Sequence, residues 1–306
     1  MSRIRRLRIQ IQGTVQGVGF RPFVYKLAHE LGLKGWVLNS AAGVTLEIEG
    51  RSERIDTFLA RLAKEKPTHC LIQSLQSTDI PTLGDSSFII RTSDQSGDKQ
   101  TLVLPDLATC PECLEEINSP QNRRYQYPFT NCTQCGPRYS IIESLPYDRP
   151  NTTMSGFEMC PDCQEEYDKP EDRRFHAQPN ACPTCGPQLA LWDRDGNSIA
   201  TGIDAIEKVV GRLQDGQVVA IKGLGGFHLA VDASNEEAIK TLRQRKNREE
   251  KPFAIMCRSL VQVQSICDLD DVEIEMLTSS AAPIVLLRQK DGPKTAIAEN
   301  VAPGNP

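Results

Sequence analysis

Residues 110–137 read CPECLEEINSPQNRRYQYPFTNCTQCGP, and residues 160–187 read CPDCQEEYDKPEDRRFHAQPNACPTCGP. The two stretches agree at 12 of 28 positions with an offset of 50, so the chain contains an internal repeat. Each copy carries two Cys-x-x-Cys pairs with 18 residues between them, which supply the four thiolates of a tetrahedral structural zinc site. The candidate ligands of two zinc ions are Cys110, Cys113, Cys132, Cys135, Cys160, Cys163, Cys182 and Cys185.

The repeated cysteines leave two questions open. Redox chemistry or an iron–sulfur cluster is the alternative to zinc, whereas four thiolates leave no coordination position for the water that catalytic zinc needs. The sequence also does not decide whether a pair closes with the other pair of its own copy or with a pair of the other copy. We interpret His176 as a surface residue and not a ligand, because Gln126 takes its place in the first copy.

Each copy also contains an arginine pair, at residues 123–124 and 173–174. A zinc ion with four thiolates has a net charge of about −2, which nearby guanidinium groups would offset. We therefore form the hypothesis that these arginines stabilise the zinc sites. Zinc binding would fold a segment, residues 105–190, that is rich in proline and charge and short of apolar periodicity.

Length and composition narrow the classes of protein to which the chain can belong. The chain has 306 residues, of which 39% are apolar and 25% charged, enough for two or three compact cores. Its formal charge of −5 argues against a protein that coats nucleic acid, which requires a broad positive surface. No run approaches the ~20 apolar residues of a membrane span, and no apolar signal segment follows the basic start. We expect a cytoplasmic protein without a membrane span.

The first ninety residues have the pattern of a small α/β sandwich. Apolar residues at 7, 9 and 11 alternate with polar ones, which is typical of a half-buried strand. The predicted elements are, in order, this strand, a helix over 21–32, two strands joined at 42–43, a helix over 52–65 and a strand in SFIIR at 87–91. The order βαββαβ predicts a ferredoxin-like fold.

A glycine-rich loop, GTVQGVGF at residues 13–20, precedes the first helix. Such a loop presents free backbone N–H groups to an anion, and Arg21 adds a planar set of donors suited to phosphate oxygens. The alternative is a binding module in which the glycines only form a turn. The candidate phosphate-binding residues are Gln16, Gly17, Val18, Gly19 and Phe20.

The stretch GTVQGVGFRPFV resembles the signature of acylphosphatases. The resemblance implies that Arg21 binds a phosphoryl group together with the amides of residues 16–20. It also implies that Asn39, on the second strand, orients the attacking water. Positioned donors stabilise charge on phosphoryl oxygens, so both catalytic assignments agree with the chemistry of phosphoryl transfer.

The last third of the chain alternates helical and strand patterns, with strands predicted in VVAIK at 218–222, PFAIMC at 252–257 and PIVLLR at 283–288. Basic residues cluster around the helix that precedes Pro252, where they either converge on a nucleotide triphosphate or form a solvated helix end. The stretches VVAIKGLGGFHLAVDA and LRQRKNREEKPFAIM are similar to YrdC-like domains, which use ATP and a carbamoyl donor. The resemblance implies nucleotide binding by Lys222, Arg245, Lys246, Arg248 and Lys251.

The chain combines an acylphosphatase-like start, a doubled four-cysteine repeat and a YrdC-like end. In this order, the three features resemble hydrogenase maturation carbamoyltransferases of the HypF type. The resemblance implies an α/β (α+β) multidomain protein that combines a ferredoxin-like acylphosphatase sandwich, two four-cysteine zinc-finger repeats and a YrdC-like α/β domain. The expected domains are 1–91 (acylphosphatase-like), 105–150 and 151–190 (first and second zinc fingers) and 200–306 (YrdC-like, partial). Because sequences of this family continue well beyond the YrdC-like stretch at the end of this chain, we expect a C-terminally truncated chain without the transferase domain.

The family resemblance also implies a reaction sequence. Carbamoyl phosphate is hydrolysed, and the carbamate reacts with ATP, accompanied by Mg²⁺, to give carbamoyl-adenylate. The carbamoyl group then passes to a cysteine of a HypE-type partner and becomes a cyanide ligand of NiFe hydrogenase, while two Zn²⁺ ions are structural. The alternatives are a zinc-scaffolded RNA-binding protein with a YrdC-like fold and an interaction scaffold with an inactive phosphatase domain.

Overall fold

The computed structural model describes residues 3–94, 101–290 and 297–304. The chain divides into two compact units, Met1–Pro187 and Gln188–Pro306. Both units contain helices and strands, which confirms the predicted α/β multidomain class. Within the described ranges, no helix has the length and apolar character needed to cross a bilayer.

The first unit begins with a sheet and two helices that share one core. Leu7, Ile9 and Ile11 on the first strand are buried together with Val24 and Phe58 from the two helices. The sheet has the strand order β4-β1-β3-β2-β5, with β5 parallel to β2 and the other pairs antiparallel. The elements are β1 Ile4–Thr14, α1 Phe20–Glu30, β2 Lys34–Ser40, β3 Gly43–Arg51, α2 Ser52–Glu65, β4 Leu71–Ile80 and β5 Phe88–Ile90.

The strand that completes the ferredoxin-like order is β4, not the SFIIR stretch predicted for it. Strand β4 pairs antiparallel with β1, whereas SFIIR forms the short additional strand β5 beside β2. The sequence LIQSLQSTDI of β4 is largely polar and most of its side chains are exposed. An edge strand with one open face buries little, so its apolar alternation is weak and the prediction missed it.

The repeated region follows as a segment with two short helices, α3 Pro111–Asn118 and α4 Pro161–Asp168. Each helix begins with proline, directly after the first cysteine of its copy. Proline suits this first helical position because its missing N–H has no partner there. Three 3₁₀ turns connect the copies, and the shared apolar core is small; it consists of Tyr127, Ile141, Tyr147, Met154 and Ala181. Such a core calls for additional stabilisation, which metal ions can supply.

The second unit contains a short hairpin, a two-stranded sheet and four helices within its described residues. Asn235 caps one helix by accepting a hydrogen bond from the N–H of Ala238 at 3.0 Å. The elements are β6 Ala190–Trp192, β7 Ser198–Thr201, α5 Gly202–Gln214, β8 Val219–Lys222, β9 Phe227–Ala230, α6 Glu236–Lys246, α7 Leu260–Ile266 and α8 Asp271–Thr278.

Two strands predicted for this unit, at 252–257 and 283–288, do not form. These segments run without a ladder of strand hydrogen bonds, and Met256 and Ile284 are 98% and 82% exposed. A strand forms where a neighbouring strand pairs with it along its length, whereas these runs make only isolated backbone contacts, such as that from the Phe253 N–H to the Val301 carbonyl.

Candidate active site and metal centres

The structure brings the eight paired cysteines into two clusters, each formed within one copy of the repeat. The sulfur atoms of Cys132 and Cys135 are 3.8 Å apart, and Cys113 and Cys135 are 3.5 Å apart. In the second cluster, Cys160 and Cys182 are 3.7 Å apart. A tetrahedral zinc site with Zn–S bonds of about 2.3 Å needs sulfur atoms about 3.8 Å apart. Both clusters therefore fit structural zinc, and the pairing left open by the sequence is within each copy.

Each arginine pair reaches the metal cluster of the other copy. The guanidinium of Arg123 donates to the sulfur of Cys163 at 3.2 Å, and that of Arg173 donates to the sulfur of Cys113 at 3.0 Å. The contacts are related by the same offset of 50 as the sequences. The arginines thus lie where the charge hypothesis requires them, but across the repeat.

Buried ion pairs hold the arginines in place. Arg124, which is 1% exposed, contacts Glu166 at 2.6 Å, and Arg174 makes the equivalent contact with Glu116. Burial acts to raise the pKa of Glu166, but hydrogen bonds from Arg124 and Arg123 outweigh it and hold this pKa at about 2. Glu166 therefore stays charged at neutral pH and fixes both guanidinium groups beside the second cluster.

The variant Arg123→Gln should weaken zinc retention at the second cluster by about 10-fold, because groups around metal ligands typically contribute 10- to 100-fold to affinity. Zinc release to a chromogenic chelator measures the effect, and alkylation with peptide mapping shows which cysteines lose protection. Arg173→Gln is the matched control and should expose the first cluster. Unchanged release in both variants would refute the charge hypothesis.

The glycine-rich loop has a backbone geometry that suits an anion site, and its role in phosphate binding stays a prediction. Gly17 and Gly19 have φ values of 72° and 74°, in the left-handed region that glycine adopts at little cost. Gly19 lies directly before α1, so the loop amides stand at a helix N-terminus, where backbone N–H groups and the helix dipole favour negative charge.

Arg21 and Asn39 converge beside this loop. Both are nearly buried, and one nitrogen of each side chain lies 3.3 Å from the same atom, the carbonyl oxygen of Tyr147. The Oδ1 atom of Asn39 is buried and has no hydrogen-bond partner among the described residues. An amide oxygen in this state can accept a hydrogen bond from a water molecule.

Residues of the repeated region cover the loop, which the sequence did not indicate. The Tyr147 N–H donates to the side-chain oxygen of Gln16 at 2.8 Å, and Arg138 donates to the Gly17 carbonyl. Asp148 forms an ion pair with Arg21 at 2.6 Å. The cavity that remains has a volume of about 20 Å³, enough for about one water molecule. An acyl phosphate therefore binds only when side chains around the cavity move, among them the Asp148 carboxylate that occupies Arg21.

His176 lines the same cavity, so its interpretation as a surface residue was wrong. It is half-buried between the rings of Tyr167 and Phe175. Burial, and then the positive charge of Arg21, lower its pKa to about 4, so the imidazole is neutral at pH 7. The equivalent Gln126 has the same left-handed backbone, with φ values of 55° and 54° for the two residues. Both residues stand in equivalent turns.

The proposed nucleotide-binding residues are only partly brought together. Arg248 and Lys251 line a wide, open cavity in the second unit. Lys222 instead lies over the ring of Phe227 at 5.3 Å, and Arg245 and Lys246 point into solvent at the end of α6. The nucleotide-binding role of all five residues stays a prediction.

The fold and the first site together define a protein of the acylphosphatase class with an attached four-cysteine metal-binding region. Family comparisons match the acylphosphatase model to residues 7–90 and the HypF finger model to residues 109–142 and 159–192. The Sua5–YciO–YrdC model, described as telomere recombination, matches residues 212–306. The chain belongs to the HypF family.

Individual relatives agree with this assignment. The carbamoyltransferase HypF of Synechocystis is 54% identical over 99% of the chain, and HypF2 of Cupriavidus necator is 50% identical over 98%. A crystal structure of full-length HypF in a phosphate- and nucleotide-bound form superposes with a TM-score of 0.89 at 42% identity, covering 99% of this chain and 39% of that one. The chain spans 39% and 37% of the lengths of the two relatives.

Proposed function

We propose that the first unit hydrolyses carbamoyl phosphate at the site formed by Arg21, Asn39 and the loop amides. The observation that carries the proposal is the convergence of both side chains on one point beside a helix N-terminus. The loop and Arg21 bind the phosphoryl oxygens, and Asn39 holds a water in line with phosphorus. Water attacks phosphorus, the phosphorus–oxygen bond to the carbamoyl group breaks, and carbamate leaves with the electron pair.

The second part of the proposal concerns the carbamate. We propose that it reacts with ATP and Mg²⁺ in the second unit to form carbamoyl-adenylate, with Lys222, Arg245, Lys246, Arg248 and Lys251 contacting the nucleotide. The match of residues 212–306 to YrdC-type proteins supports this step, as does the nucleotide-bound state of the full-length relative. In the complete protein, the carbamoyl group would pass to a HypE-type partner in the cytoplasm, for the cyanide ligands of NiFe hydrogenase.

Two assays on the intact chain test the two parts separately. Phosphate release from carbamoyl phosphate should exceed the spontaneous rate, and exchange of labelled pyrophosphate into ATP should depend on carbamoyl phosphate. Hydrolysis without exchange would contradict the ATP-dependent step in this chain and leave the first step standing. Absence of hydrolysis would contradict the first step as well.

A further inference from the structure

The segment that covers the acylphosphatase site is fixed on both sides. On one side, Tyr147 is bound through its backbone N–H to Gln16. On the other, the Arg149 N–H donates to the side-chain oxygen of Gln178 at 2.7 Å, and its guanidinium donates to the Gln178 carbonyl at 2.7 Å. Asp148 lies between these two anchored residues, so its backbone position over Arg21 is well determined.

This segment presents hydrogen-bond acceptors to the site. The Tyr147 carbonyl oxygen accepts from Arg21 and Asn39, and the Asp148 carboxylate accepts from Arg21 at 2.6 Å. The phosphoryl group of a substrate would take the Arg21 donors for its own oxygens. The Asp148 carboxylate would then lose the Arg21 donor, and the Tyr147 carbonyl oxygen would keep only the donor from Asn39, in a site where Arg21 and Asn39 are almost fully buried.

A buried acceptor without a donor is costly, so the acyl end of the substrate decides whether the closed site is stable. Carbamoyl phosphate carries an amino group, which can donate to both acceptors. Acetyl phosphate carries a methyl group at the same position, so it supplies no donor to replace the one that Asp148 loses. Sites built to bind an N–H or O–H group discriminate strongly against analogues that lack it, for this reason.

Resting on the proposed hydrolysis of carbamoyl phosphate, we infer that the Asp148 carboxylate and the Tyr147 carbonyl oxygen recognise the amino group of this substrate. Residues of the metal-binding region thus determine the specificity of a site whose phosphoryl-binding groups belong to the acylphosphatase domain. Asp148 leaves Arg21 when the phosphoryl group enters and accepts from the amino group instead.

The test compares kcat/KM for carbamoyl phosphate and for acetyl phosphate in the parent chain and in Asp148→Ala. The parent should favour carbamoyl phosphate, and the variant should lose about 10- to 100-fold of that preference because the carboxylate acceptor is gone. An equal loss on both substrates would mean that Asp148 only positions Arg21. An equal gain would mean that it only blocks the site. Either result overturns the inference.

Two further variants guard against a folding defect. Asp148→Asn has the same size and keeps an acceptor oxygen, so its preference should lie between those of the parent and Asp148→Ala; a preference below that of Asp148→Ala overturns the inference. Glu158→Ala removes an exposed carboxylate from the same connecting segment and should behave as the parent does. A parent that hydrolyses neither compound contradicts the proposed function itself, whereas hydrolysis with unchanged preference in Asp148→Ala contradicts only this inference.

Discussion

Replacing Arg21 by alanine should lower kcat/KM for carbamoyl phosphate and benzoyl phosphate by about 100- to 1000-fold, the usual cost of removing one preorganised donor to developing charge. Arg21 lies at the N-terminal end of α1, and its guanidinium is buried beside the loop amides. Water cannot readily replace it there, so the loss should be large. Phosphate release under substrate-limiting conditions measures the effect.

Two controls separate this role from a general loss of stability. Arg61→Ala removes an arginine of the same domain whose ion pairs with Glu30 and Glu65 are exposed, and surface pairs of this kind contribute little to stability. Its rate should equal that of the parent. Arg21→Lys keeps the charge but not the planar set of donors and should recover only part of the rate. A fully active Arg21→Ala variant would refute the assignment of the site.

The second large effect concerns the metal. In Cys135→Ser, the first cluster loses a buried ligand, and the zinc content should fall from two ions to one per chain. Structural zinc contributes about 10–16 kcal/mol to the folding of small domains, so the surrounding segment should unfold locally. Arg138, which is 2% exposed, would then become a site for limited trypsin cleavage. Elemental analysis and peptide mapping give both readouts.

The matched control for the metal is Cys257→Ser, since Cys257 is half-buried in the second unit and belongs to neither cluster. This variant should retain two zinc ions and resist cleavage at Arg138. Native protein without zinc, or with all eight paired thiols open to alkylation, would contradict the metal assignment.

The parts of the site that could be predicted are those carried by short, contiguous sequence. The spacing of the cysteines brings four sulfur atoms together through local turns, and GTVQGVGFR places Arg21 next to the loop it serves. In both cases the local chain geometry determines most of the three-dimensional arrangement. Asn39 was implied only by the resemblance to acylphosphatases, and the structure places it on β2.

The cover of the site could not be predicted in this way. Asp148 and Tyr147 meet Arg21 across more than a hundred residues of sequence, in a segment without helical or strand periodicity. Its position depends on side-chain contacts with Gln16 and Gln178, which belong to two different regions. Sequence patterns report local periodicity, and a contact of this kind leaves no periodic signal.

The contacts that the arginines of each copy of the repeat make with the cysteines of the other copy have a consequence for either copy on its own. Because each half supplies the cations for the thiolates of the other, the two halves behave as an isologous dimer joined in one chain. An excised half would expose its anionic cluster and leave its own arginines without partners. Neither half is therefore a module that can be lost or transplanted alone, because each contact joins residues of different halves, 40 positions apart for Arg123 and Cys163 and 60 positions apart for Arg173 and Cys113.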